Sequence, residues 1–483
     1  MSNLTDLLPS GAGGKQVDFV ATGTLASGQT VALKTDGTVE AVTSTPISQA
    51  LGTPANFESA NTSATATTYD STNNKVVIAY SDWGNSKYGT AVVGTVSGTA
   101  ITFGTPVVFE SAQSDWLSAT FDSVNSKVVI AYSDAGNATN GTAIIGTVSG
   151  TTISFGTAVV YNNTYTDVKT IVFDNSNNKV VIAYNSASTS GKAIVGTVSG
   201  TSISFGSAVV FNTGSTGQIG ATFDSNENKV IIAYQDAANG YYGTAIVGTV
   251  AGTSISFGVE VVYYSANNGY NALTFDSSSN KVVIAHRPNS PISGTAYVGT
   301  VSGTSISFGS PVTFSSTQAD WIAITYDSNA NKVVISYQSP SSNAEAMLIA
   351  GTVSGTTITF GTAVVIDGNL TYPATFISTA FDSTSNKVIT SYSYGTTLGK
   401  SIVFRNAATA SNNTSFIGIT DAAIADTATG SVTIKGGISS NVASLTPNSS
   451  YYVKADGALT TTKSTVLAGK ALSSTSINLD YTT

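Results

Sequence analysis

Apolar residues along this chain come in short β-branched and aromatic runs, broken every few positions by Gly, Asn, Ser and Thr. Residues 118–122 (SATFD), 127–134 (KVVIAYSD), 141–148 (GTAIIGTV) and 153–161 (ISFGTAVVY) are runs of this kind, with the length and composition of strands. No unit carries an apolar period of 3.6 residues over ten or more positions, which excludes a helical solenoid.

The four runs recur together. The pattern [FY]D-x4-K-V begins at Tyr69, Phe121, Phe173, Phe223, Phe275, Tyr326 and Phe381, with its lysine at Lys75, Lys127, Lys179, Lys229, Lys281, Lys332 and Lys387. Four strands in a unit of roughly 50 residues match a propeller blade. Seven units predict an all-β, seven-bladed β-propeller with strands A to D running from the inside out. Leu51 to Ala60 (LGTPANFESA) repeats Phe103 to Ala112 (FGTPVVFESA) but follows no A, B or C strand, whereas the seventh unit has no Phe-Gly strand after its C strand near Ser401 to Phe404. The N-terminal outer strand is therefore expected to complete the last blade and close the ring, leaving no free edge there.

The organisation that follows is an N-terminal arm over 1–14, the first part of a small β domain over 15–48, the propeller over 49–406, and a linker with the second part of that domain over 407–483. Residues 17–42 (VDFVATGTLASGQTVALKTDGTVEAV) alternate as a hairpin with Asp36-Gly37 at its turn. Hairpins this small are expected to pool their apolar faces across the two chain ends.

Comparison of the seven copies separates two faces. The A–B turns, from DSTNNK (70–75) to DSTSNK (382–387), and the C–D turns, V-[SA]-G-T-x-I, are nearly uniform. The B–C connections, such as SDWGNSKYGT (81–90) and QDAANGYYGT (235–244), and the D–A connections, such as QSDWLS (113–118) and TQADWIA (317–323), differ in every copy. Variable loops on a rigid frame are where binding groups concentrate. All three tryptophans fall in or beside them, with Tyr264 and Tyr372 in the same set. Aromatic faces interleaved with acids and amides suit sugars, which stack on rings and donate hydroxyl hydrogen bonds. The candidate ligand-binding residues are Asp82, Trp83, Tyr88, Asp115, Trp116, Tyr241, Tyr242, Tyr270, Asp320 and Trp321. For Trp116 and Trp321, five residues before the repeat's [FY], packing at the start of strand A is the competing reading.

Composition narrows the chemistry. Charged residues are 10% of the chain, against about 25% in an ordinary soluble domain, and the net charge is −8 with only Arg287 and Arg405 as arginines. That excludes a basic nucleic-acid surface. With no Cys and a single His, His286, thiolate sites, disulfides and His-cluster zinc sites are excluded too. The repeated Asp70, Asp122, Asp174, Asp224, Asp276, Asp327 and Asp382 lack the clustered oxygen ligands and turn Gly of a calcium loop, and read as Asx turns closing the A–B hairpins. His286 stands in the slot of Tyr80, Tyr132, Tyr184, Tyr234, Tyr337 and Tyr392, as a replacement for a structural aromatic. The Phe-Gly pairs read as an inter-blade ring followed by a bulge or close backbone approach. No catalytic residue, metal ligand or cofactor is assigned. The first residues lack a basic and apolar leader, and no apolar run approaches the roughly 20 residues that span a bilayer. Neither secretion by a signal peptide nor membrane insertion is therefore expected.

Thr5-Asp6-Leu7-Leu8-Pro9-Ser10-Gly11 at one end, and Leu445-Thr446-Pro447 leading to Tyr451-Tyr452-Val453 and Asp456-Gly457 at the other, resemble bacteriophage virion structural proteins, the fibre-like and capsid decoration proteins of marine and cyanobacterial phages. The resemblance covers the end segments, about a quarter of the chain, and has no coiled-coil or β-helical shaft with it. It implies a protein made in the host cytoplasm and carried on the virion surface, a homo-oligomer attached to other virion proteins through the end-built domain. The resulting expectation is a non-enzymatic appendage whose propeller recognises host-surface glycan. The alternatives are a purely structural decoration protein and a glycan-degrading propeller enzyme.

Overall fold

Strand B is the best-buried segment of each repeat: in Lys127–Asp134 every residue after the lysine is buried. A strand apolar on both faces needs cover on both, and the neighbouring sheets supply it. Val77 and Ala79 of the first repeat share a core with Val128, Ile130 and Tyr132 of the second, and Val129 and Ala131 share the next with Val180 and Ile182 of the third. Alternate side chains of one strand thus serve two successive cores. Val76, Ile78 and Tyr80 pack in turn with Ile389 and Val403 of the seventh repeat.

The computed structural model describes residues 15–340, 345–368, 373–395, 397–463 and 466–480, without the side chains of Val168 and Lys169. Residues 1–14, which hold the Thr5 to Gly11 segment and the expected arm, lie outside this set. The chain separates into two compact units, 49–406 and the combined 1–48 and 407–483. Both are all-β, with no α-helix among the described residues.

In unit 49–406 each repeat is an antiparallel meander. The second runs from the later part of Val107–Asp122 (A) through Lys127–Asp134 (B) and Asn140–Ser149 (C) to Thr152–Phe155 (D). The run expected as one outer strand is two. Thr152–Phe155 and the start of Val159–Asp174 both pair with strand C, parted at Gly156. A Cβ on Gly156 would stand 1.9 Å from the Thr201 carbonyl oxygen in the next repeat's C–D turn, so the close approach itself demands glycine. The same latch joins Gly52 to Thr99, Gly104 to Thr151, Gly206 to Thr253, Gly258 to Thr304 and Gly309 to Thr356. At Gly361 a Cβ would meet only the Ala350 carbonyl oxygen, at 3.7 Å. The seventh repeat has no C–D turn to offer there, because its strand C, Leu398–Arg405, leads out through Asn406, whose Nδ2 donates to Asp327 Oδ2 at 2.7 Å. Against that strand lie Ala50–Leu51 and Ala55–Glu58, with Leu51 opposite Phe404 and Ala55 opposite Ser401.

Rings fill the junctions between repeats. Phe109 of strand D meets Tyr132 of the next strand B at 5.3 Å and Phe155 at 5.5 Å, and Phe57, Tyr80 and Phe103 repeat the trio. The A–B turns are tied by their aspartates: Asp122 Oδ1 accepts the N–H groups of Val124 and Asn125 at 3.0 and 2.9 Å, and Oδ2 accepts Asn125 Nδ2 at 2.8 Å. No group of three or more metal-ligating side chains occurs among the described residues.

The end-built unit holds two five-stranded sheets. The hairpin expected over 17–42 forms only in its second half, where Thr30–Leu33 and Val39–Ala41 pair around Asp36-Gly37. Gln16–Val20 instead pairs with Thr429–Ile434 from the other end of the chain. Between the halves Leu25, 1% exposed, turns into the core to bridge Ile424, which breaks the alternation a single hairpin would need. This Leu25 turn recurs twice. Leu25, Ile424 and Leu445 are each buried and followed three residues later by a left-handed residue, Gly28, Thr427 and Asn448, then by a strand. Two of the strands end in matching hairpins, Lys34 to Thr38 and Lys454 to Ala458, each closed by an aspartate accepting the N–H two residues on at 3.0 Å.

Candidate functional site

The D–A connections expected to be loops are largely strand: Val107–Asp122, Val159–Asp174 and Val261–Asp276 each run without a break from the outer position of one repeat to the inner position of the next. What interrupts them is a register shift near the start of strand A, between Ser63 and Ala66, Asp115 and Ser118, Gly217 and Gly220, Gly269 and Asn271, Asp320 and Ala323, and Thr375 and Ser378. In the third repeat it falls between Val168 and Thr170. At these bulges Ala64, Trp116, Gln218, Tyr270, Trp321 and Phe376 have φ between 46° and 52°. A left-handed non-glycine residue costs about 1 kcal/mol or more, and bulges re-aim side chains.

The six residues are brought together. With the residue after each, they line one cavity of about 210 Å³, axial in the sense that described side chains of six A strands converge on it; the equivalent slot of the third repeat, Val168, has no described side chain. Trp321 and Phe376 stack with centroids 4.4 Å apart, and Tyr270 stands 5.7 Å from Trp321. Arg287 lies 5.0 Å over the Tyr270 ring and pairs with Asp320. Burial, with the Asp320 charge adding to it, pushes the Tyr270 phenol above its usual range. The bulges are cross-tied: Thr65 Oγ1 donates to the Phe376 carbonyl, and Asn271 Nδ2 to that of Gln218 at 2.8 Å.

A second cavity, about 450 Å³, adjoins it. Trp83, Asp115, Trp116, Ser63 and Phe376 are among its walls, and it shares Ala64, Trp116 and Phe376 with the axial one. Trp83 opens a single 3-10 turn, Trp83–Asn85, after strand B. Trp83 is 47% exposed and Trp116 42%. Trp83 Nε1 donates to Ser63 Oγ at 2.8 Å, and Lys87 Nζ sits 4.0 Å over the ring. Asp115 accepts from Gln113 Nε2 at 2.6 Å through one oxygen.

The other candidates fall differently. Asp82 ends strand B before Trp83, and burial, then the neighbouring Glu58 charge, holds its carboxyl above the usual range; Tyr88 sits opposite it in register. Asp320 is 9% exposed and engaged by both Arg287 and Gln318 Nε2, so it braces the Tyr270 and Trp321 wall from behind. Tyr241, 49% exposed, and Tyr242 belong to the fourth repeat's B–C connection and line neither cavity. Tyr264 packs on His286 at 5.0 Å, and Tyr372 lies outside the described residues. Phe376, Gln218 and Ala64 were not singled out, although each stands five residues before the repeat's [FY], as Trp116 and Trp321 do.

No protein-family model and no curated protein matches the chain. Among solved structures, the crystal structure of BP39L lectin from Burkholderia pseudomallei is similar with a TM-score of 0.56 at 10% identity, covering 72% of this chain and 99% of that one. At that identity the likeness is one of fold, all-β and propeller-like.

Proposed function

We propose that residues 49–406 form a closed seven-bladed propeller that binds neutral glycan, without turning it over, on the face carrying Trp83 and Trp116. The observation that carries this reading is the 450 Å³ cavity, where two exposed indoles share a wall with the Asp115 carboxylate and the Ser63 hydroxyl. Rings offer the C–H faces of a sugar their stacking surface, and the oxygens accept from its hydroxyls. Asp115 and Asp82, the latter next to Trp83 in the chain, outnumber the cation on that ring, Lys87, which disfavours anionic sugars. The fold likeness to a lectin points the same way. Pairing of 50–58 with the last strand C, and packing of the first repeat on the seventh, support the ring.

The resemblance of the end segments to virion proteins supports a setting on a phage particle, with the end-built unit as the anchor to other virion proteins. Immunogold labelling of intact particles with an antibody to the chain tests that setting, and unlabelled particles speak against it.

For the binding itself, the full-length protein on an array of neutral and acidic glycans should retain neutral ones and release no reducing ends. Trp83→Ala should weaken retention roughly tenfold, since losing one stacked ring costs on the order of 1 to 2 kcal/mol, and should leave thermal unfolding nearly unchanged. A wild-type protein that retains no glycan refutes the reading and favours a purely structural role.

A further inference from the structure

Resting on the carbohydrate reading above, we infer that the axial cavity and the Trp83 cavity form one groove that takes the end of a neutral oligosaccharide, about three sugar units long, with the terminal unit on the axis.

The two cavities meet at Ala64, Trp116 and Phe376, which line both. A ligand stacked between Trp83 and Trp116 therefore reaches the axial cavity without leaving aromatic cover. Volume sets the length. At about 30 Å³ per water, the 210 Å³ axial cavity equals about seven waters, close to one hexose ring with its hydroxyls, and the 450 Å³ cavity about two more. Trp321 and Phe376, with centroids 4.4 Å apart, present an aromatic wall to that terminal unit, and Gln218 supplies an amide on the same rim.

The axial cavity is a stop. Beneath it lies a separate cavity of about 290 Å³ lined by all seven A strands. Thr65, Leu117, Ile219, Asn271 and Ile377 line both and stand between them, and the three aliphatic ones are each under 9% exposed. A polar chain gains little by passing a neck in which three of five side chains are buried branched hydrocarbons, so the site seats a chain end and not an interior segment. Six residues in equivalent slots of six repeats, all held left-handed, are the kind of backbone cost that persists where the geometry is used.

Trp321→Ala isolates the axial subsite, because Trp321 lines that cavity and not the Trp83 one, and Ala64 shows that alanine holds the same bulge slot, with φ 51°. The test is titration of full-length protein, by tryptophan fluorescence and calorimetry, with glucose-, galactose-, mannose- and N-acetylglucosamine-based oligomers of one to six units, free or capped at each end with a bulky group. Affinity should rise at least tenfold from one unit to three and then level. Capping one particular end should abolish the gain, and Trp321→Ala should return three-unit ligands to the monosaccharide level. If oligomers bind but monomers bind equally well, or if Trp321→Ala or caps at either end change nothing, the inference fails while the Trp83 site stands. If no oligomer binds at all, the carbohydrate reading falls and this inference with it.

Discussion

Five of the six Phe-Gly breaks, and Leu51-Gly52 with them, are wedged against the next repeat and one is not, which gives a substitution with a built-in control. At Gly104 an added Cβ would stand 1.9 Å from the Thr151 carbonyl oxygen, whereas at Gly361 the nearest atom is 3.7 Å away. Real Cβ contacts do not fall below 3.0 Å, so Gly104→Ala requires the two repeats to part by about 1 Å along a junction packed by Phe109, Tyr132 and Phe155. Both clashing atoms sit close to the backbone, and no rotamer relieves them. Overpacking of this kind costs about 1–3 kcal/mol, and the upper end applies. Gly361→Ala meets only ordinary contact and removes freedom from the unfolded chain, which stabilises by about 0.4–1 kcal/mol. For a unit of roughly 360 residues with an unfolding entropy of about 2 cal/mol/K per residue, 3 kcal/mol lowers the midpoint by about 4 °C. Scanning calorimetry of the full-length protein should therefore show Gly104→Ala about 4 °C below wild type and Gly361→Ala level with or slightly above it. Equal shifts for the two variants would refute the latch.

Two further predictions concern acid. Burial lowers the pKa of His286 to about 3, below an unfolded value near 6.5, so the unfolded chain binds the extra proton and stability falls as pH drops from 6.5 toward 3; urea unfolding should show His286→Gln, which keeps an amide for Asn268 (2.7 Å from Nδ1), spared about 3 kcal/mol of the wild-type loss between pH 7 and 4, and parallel curves would refute it. Glu110 is shifted upward by burial and then by Asp134, so its ionisation opposes folding above the unfolded value near 4.3; Glu110→Gln should gain stability at pH 7 with the difference gone below about pH 4, and a difference that persists there would refute the titration.

The repeats are legible in the sequence because each one solves the same local problem with the same residues. Asp122 and its six equivalents announce an Asx turn, and Gly156 a bulge or close backbone approach, though not that the outer strand is two. The bulges are not legible in this way, since a left-handed φ at Trp116 or Phe376 leaves no mark on an apolar pattern. Only their shared distance from the repeat's [FY] betrays them, and Phe376 carries no neighbouring acid to draw attention. The engagement of Asp320 is hidden in the sequence for a different reason. Its partner Arg287 is 33 positions away, so the carboxylate looks available beside Trp321 until the fold brings the guanidinium onto it. In the end-built unit the triple turn at Leu25, Ile424 and Leu445 has diverged too far in side chains to be seen, while its backbone stays constant.

The axial bulges also bear on how such a site changes over generations. Ala64, Trp116, Gln218, Tyr270, Trp321 and Phe376 hold nearly the same φ whether the side chain is a methyl, an amide or an indole, so the backbone is indifferent to what it displays. A slot of that kind lets a lineage exchange one wall of the cavity at a time without a folding penalty, and the preferred ligand can drift while the scaffold stays put. A library randomised at these six positions should consequently lose specificity far more readily than it loses folded protein.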